Sequence, residues 1–126
     1  MRKYVSFGEF LSDKRRTKEI PSLQMAEAVG LSPSYYCDIE KNRKAPPDID
    51  ILEKIIDALG LINEDRVQFY DLAGKARSGV APDLPEYINE NEVVRVALRV
   101  AKDKASAEDW KQFINKLENK RGIYDA

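Results

Sequence analysis

An all-α fold is what the sequence predicts, on three observations. Apolar residues recur three and four apart in each regular segment, and no stretch alternates apolar and polar residues as a half-buried strand would. Helix starts and stops also punctuate the chain. Ser6 with Glu9 and Ser106 with Asp109 have capping-box spacing, Ser32 precedes a proline, and Gly30 and Gly60 stand where helices end.

In chain order, the first helix runs from Val5 to about Lys18. Phe7, Phe10 and Leu11 form its apolar face, and a basic last turn suits the helix dipole. A second, about Ser22 to Val29, sets Met25, Ala26 and Val29 on one side and ends at Gly30. Ser32 caps a third helix with Pro33 at its first position, and this helix runs to about Lys41 with Tyr36 and Ile39 facing inward. The basic loop NRKAPP follows, and its prolines stop the helix. A fourth helix spans about Asp48 to Leu59, with Ile49, Leu52, Ile55, Ile56 and Leu59 inward. A fifth spans about Asn63 to Ala76, with Val67, Tyr70, Leu72 and Ala73 inward.

Residues 77–85 (RSGVAPDLP) read as a linker between a domain over 1–76 and a helical extension over 86–126. In the extension, one turn of helix fits 85–89. A longer helix over Glu92–Lys102 carries Val93, Val94, Ala97, Leu98 and Ala101, and a last one carries Trp110, Phe113, Ile114 and Leu117. The tail RGIYDA is expected to fray.

With 126 residues, 43% hydrophobic and 34% charged, the chain is long enough for a compact domain with an appendage. No apolar run approaches the ~18 residues of a membrane span, and MRKYVSFGEF has no signal-peptide core. One cysteine makes no intrachain disulfide, so a reducing cytosol is expected. There is no histidine, glycine-rich phosphate loop or paired set of metal ligands, which speaks against an enzyme, a metal site or a cofactor. A net charge of −1 means that any hold on nucleic acid must come from locally clustered cations.

Pro21 to Pro46 is such a place: two short helices, a tight turn at Gly30–Ser32 and a basic exit loop describe a helix-turn-helix. The stretch from Phe7 to Leu59 resembles the XRE family, the Cro- and lambda-repressor-like DNA-binding domains of bacteria and their phages. Phe7, Leu11, Arg15, Ala26, Val29-Gly30-Leu31-Ser32, Tyr35, Ile39-Glu40, Arg43, Pro46, Leu52, Ile55 and Ala58-Leu59 carry the resemblance.

The resemblance implies a five-helix bundle whose third helix, about 33–41, enters the major groove, with base contacts at Pro33, Ser34, Cys37 and Asp38. It implies phosphate contacts at Ser22, Tyr35, Lys41, Asn42, Arg43 and Lys44, and an ion pair between Arg15 and Glu40. Asn42 stands where relatives usually carry glycine, and asparagine is the next best residue for a left-handed turn. The reading face is spare: Ser34 discriminates bases weakly, and Asp38 suits a cytosine amine while repelling phosphates. Cys37 is either a thiol sensitive to oxidation or a small filler.

The function so implied is a sequence-specific transcriptional repressor of the bacterial or phage cytoplasm, associated with the nucleoid. It would bind double-stranded DNA at a palindromic operator as a homodimer. The apolar faces of the C-terminal helices, with Val94, Leu98, Trp110, Phe113 and Leu117, either join the subunits, contact a partner protein or pack on the chain's own first domain. The alternative is a protein-interaction module, an antitoxin or adaptor, whose C-terminal half binds a partner protein.

Overall fold

The computed structural model describes residues 3–125, with side chains for 3–120. Among these residues there are eight α-helices and no strand. They are α1 (Phe7–Thr17), α2 (Ser22–Val29), α3 (Pro33–Glu40), α4 (Ile49–Leu59), α5 (Asn63–Ala76), α6 (Pro85–Glu90), α7 (Glu92–Lys104) and α8 (Ala107–Asp125). The chain divides into two compact units, one ending at Pro85 and the other beginning at Glu86.

The first unit is a five-helix bundle in which α2 packs on α3 and α4, and α1 packs on α3 and α5. Its core gathers Phe7, Phe10 and Leu11 of α1, Met25, Ala26 and Val29 of α2, and Tyr36 and Ile39 of α3. Leu52, Ile55, Ile56 and Leu59 of α4, Leu61 just after it, and Phe69, Tyr70, Leu72 and Ala73 of α5 complete it. Each large apolar side chain so enclosed contributes about 1.5–3 kcal/mol.

One inner-face assignment is corrected by the structure. Val67 is 52% exposed, and the fully buried Phe69 takes the position facing the core. The aromatic rings of α1 set this phase: Phe69 lies 5.1 Å from Phe7 and 6.0 Å from Phe10 between ring centroids. At the far side of α1, Lys14 pairs with Asp65 of α5 at 3.1 Å.

The helices of this bundle stop abruptly, and each stop has the same form. A residue with positive φ follows the helix, and the amide after it reaches back to a carbonyl five residues earlier. Ile20 N donates to Arg15 O, Leu31 N to Ala26 O, Arg43 N to Asp38 O, Leu61 N to Ile56 O and Gly79 N to Gly74 O. The left-handed residues are Glu19, Gly30, Asn42, Gly60 and Ser78, only two of them glycine. These reversals keep α2 and α3 to eight residues each, short enough to cross within one small bundle.

The segment after α5 does not leave the bundle at once. Ser78 turns the chain back so that Ala81 packs against the core. The close approach uses a glycine: a Cβ on Gly74 would lie 2.7 Å from Ala81 N.

In the second unit, α7 extends to Lys104. α8 opens with the expected capping box, Ser106 N donating to Asp109 Oδ2 (2.9 Å) and Asp109 N to Ser106 Oγ (3.2 Å). The helix continues through the segment expected to fray, to Asp125. None of the described side chains of this unit is fully buried. Val94 is half-buried, whereas Leu98, Trp110, Phe113 and Leu117 are exposed together with Val93, Val96 and Val100.

Candidate nucleic-acid interface

Local chemistry sets the angle of the third helix. Gly30 reverses the backbone at φ 76°, and the Ser32 hydroxyl then accepts from Tyr35 N at 3.2 Å with Pro33 in the first turn. Ala26, fully buried, lets α2 and α3 approach closely. With Tyr36 and Ile39 held inward, Pro33, Ser34, Cys37, Asp38 and Lys41 fall on the opposite arc. Pro33, Ser34 and Lys41 are exposed, while Cys37 and Asp38 are half-buried.

Beneath this face lies a charged tie. Arg15 Nε donates to Glu40 Oε2 at 2.6 Å and Nη2 to Oε1 at 3.0 Å, a bidentate pair. Both side chains are largely enclosed, at 12% and 9% exposure. A third donor, Nη1, reaches Ile20 O at 2.9 Å. One guanidinium thus joins the end of α3 to the connection between α1 and α2. The hydrogen bond that Arg15 donates to Glu40 raises the Arg15 pKa, outweighing its partial desolvation.

Tyr36 lies against the same pair. Burial first, then the Glu40 carboxylate, pushes its phenol well above the ordinary 10.0. An acid whose folded pKa is raised stabilises the fold fully below its unfolded pKa, and loses that contribution as pH rises above it. Stability should therefore fall from about pH 10 upward, approaching a slope of about 1.4 kcal/mol per pH unit from this group. Urea titrations between pH 9 and 11 should show a shallower fall in Tyr36→Phe; identical slopes would remove Tyr36 as the source.

The loop after α3 presents the cations. Lys41, Arg43 and Lys44 are exposed. Asn42, at φ 60°, turns its side chain inward: Oδ1 accepts from Gly8 N and Nδ2 donates to Ser6 Oγ, both at 3.0 Å. Its amide is thus a brace between the loop and the start of α1, a different use from the phosphate contact implied by resemblance. Arg43 lies 3.8 Å from Asp38, with 68% and 30% of the two side chains exposed. A pair so long and wet contributes little to stability. It does mean that the two side chains share one electrostatic neighbourhood.

Ser22 is the first residue of α2, half-buried, behind Pro21, which offers no side-chain cap. The first amides of α2 therefore have no capping side chain, as an anion-binding helix end requires. Tyr35, in the first turn of α3, is 40% exposed. Gly8, the second residue of α1, escaped the sequence reading. A Cβ there would lie 2.3 Å from Glu40 O.

A tight turn, an outward arc on α3 and a basic loop fixed beside it together define a helix-turn-helix DNA-binding domain. Residues 12–66 match the family model described as Helix-turn-helix (HTH_3), and this part of the chain is a helix-turn-helix domain of the XRE family. A solved complex of SinR protein with SinI protein is similar at 19% identity and a TM-score of 0.43, covering 92% of this chain and 98% of that one. Comparison with curated protein sequences finds no match. Among the described residues no helix is long and apolar enough to cross a membrane.

Proposed function

We propose that the chain is a sequence-specific transcriptional regulator acting as a repressor, with α3 in the major groove of a palindromic operator. The observation that carries this is the pairing, on one rigid frame, of the outward arc Pro33, Ser34, Cys37 and Asp38 with the exposed cations Lys41, Arg43 and Lys44. Backbone contacts from the loop, Tyr35 and the α2 start supply affinity and register, and the α3 arc selects the site. Short side chains on that arc leave much of the choice to half-site spacing and DNA shape.

A single module of this size binds weakly, so two copies on half-sites about one helical turn apart are expected. The exposed apolar residues of α7 and α8 support a homodimer joined through Val94, Leu98, Trp110, Phe113 and Leu117. The setting inferred is the nucleoid of a bacterial or phage-infected cytoplasm. The same surface supports a second reading, an antitoxin or adaptor whose C-terminal helices bind another protein. Monomers at micromolar concentration that still bind DNA would favour it.

The test is selection of bound duplexes from a random pool at defined salt. Enrichment of a palindrome supports the proposal, and recovery of bulk DNA alone defeats it. In the same assay Arg43→Ala and Lys44→Ala should weaken all duplexes alike, each lowering the salt slope by ~0.9 per lost phosphate contact. Substitutions at Ser34 and Asp38 should instead change the preferred sequence.

A further inference from the structure

The stretch that reads as a linker carries a side chain aimed back at the DNA-facing loop. Arg77, just past the end of α5, donates to the carbonyl of Pro46 from Nε at 3.1 Å and also from Nη2. Pro46 closes the basic loop, and both it and Pro47 are buried. Neither proline has an N–H, so the loop exit cannot be fastened by donating backbone amides. The free carbonyl of Pro46 is the group left to hold, and a charged donor holds it. The end of α5 and the loop border one hollow of 480 Å³, lined by Ala76 on one side and Asn42, Lys44 and Pro46 on the other.

The loop is thus gripped at both ends. Asn42 fastens its start to Ser6 and Gly8, and Arg77 fastens its end. Between the two grips lie Arg43, Lys44 and Ala45, all exposed. We infer that Arg77 is a positioning residue for DNA binding, holding the phosphate-contacting loop in its bound shape before DNA arrives. A loop ordered in advance does not lose that freedom on binding. The segment holding Arg77 is also the path to the second unit, so loop geometry depends on how that path is seated. This rests on the DNA-binding reading above.

The test uses the full chain and measures duplex affinity and loop amide exchange for Arg77→Ala. Binding should weaken about tenfold, the scale of one charge-assisted hydrogen bond. In the free protein, exchange at the Lys44 amide, which donates to Asp38 O at 3.3 Å, should quicken while that of core amides such as Leu11 stays unchanged. General destabilisation would instead speed both. In an Arg43→Ala, Lys44→Ala background, the Arg77 effect on binding should shrink to less than about twofold, because the contacts it positions are gone. Full additivity would mean that Arg77 touches DNA itself, and the positioning role would fall. Unchanged affinity with unchanged Lys44 exchange would also overturn it. If the wild type binds no duplex, the DNA-binding reading fails instead, and Lys44 exchange alone still decides whether Arg77 orders the loop.

Discussion

Replacing Arg15 with alanine is expected to cost the helix-turn-helix unit about 3–5 kcal/mol, because it leaves the Glu40 carboxylate enclosed without its partner. Glu40 is only 9% exposed, so water cannot replace the lost donors cheaply. The carbonyl of Ile20 loses its bond at the same time, which loosens the link from α1 to α2. For a domain of this size each kcal/mol moves Tm by about 4–8 °C, so a drop of more than 12 °C follows. Circular dichroism of the full chain during urea unfolding would measure it. The double variant Arg15→Met with Glu40→Leu should recover much of the loss, since a packed apolar pair often matches a buried ionic one. A cost under about 1 kcal/mol for Arg15→Ala would show the pair behaving as a surface contact.

Gly8→Ala should be nearly as severe, for steric reasons. The new methyl would lie 2.3 Å from Glu40 O, 2.7 Å from Asn42 Oδ1 and 2.8 Å from Glu40 C. Two of these atoms are backbone at the end of α3, so no rotamer change relieves them, and α1 and α3 must separate. Overpacking of this kind costs about 1–3 kcal/mol. Separation also pulls Asn42 away from Gly8 N and lets the basic loop shift. Affinity for DNA should therefore fall even at temperatures where the variant is fully folded. Gly30→Ala serves as the comparison, since its Cβ would meet nothing within 4 Å and only the left-handed backbone is strained. Wild-type affinity in folded Gly8→Ala protein would separate that crossing from the loop and refute the mechanism.

What the sequence made legible was governed by local chemistry. Ser6, Ser32 and Ser106 cap helices, and Gly30 and Gly60 end them, because each acts within a few residues of itself. The inner side of α5 was not fully legible. Val67 and Phe69 both lie near an apolar arc, and only the rings of α1 decide between them. The brace from Asn42 to Gly8 and Ser6 joins residues 34 and 36 apart, and Arg77 meets Pro46 across 31. Such contacts have no period to read. The Arg15 and Glu40 assignment came by resemblance, since nothing in two charged residues 25 apart requires them to meet. Which bases α3 selects is set by a partner molecule, so neither sequence spacing nor the packing of this chain encodes it directly.

Trp110 has a spectroscopic consequence. It is the chain's single tryptophan, it sits in α8 at 39% exposure, and its ring lies 6.1 Å from Phe113. Tryptophan emission therefore originates in the second unit, while the helix-turn-helix unit contributes tyrosine only. The chain's one thiol, Cys37, lies on the outward arc of α3, so a dye placed there would stand in the way of DNA, and the tryptophan is the probe that leaves the reading face untouched. A change at the C-terminal helices, such as the association proposed above, would therefore be read from tryptophan emission without adding or removing a residue.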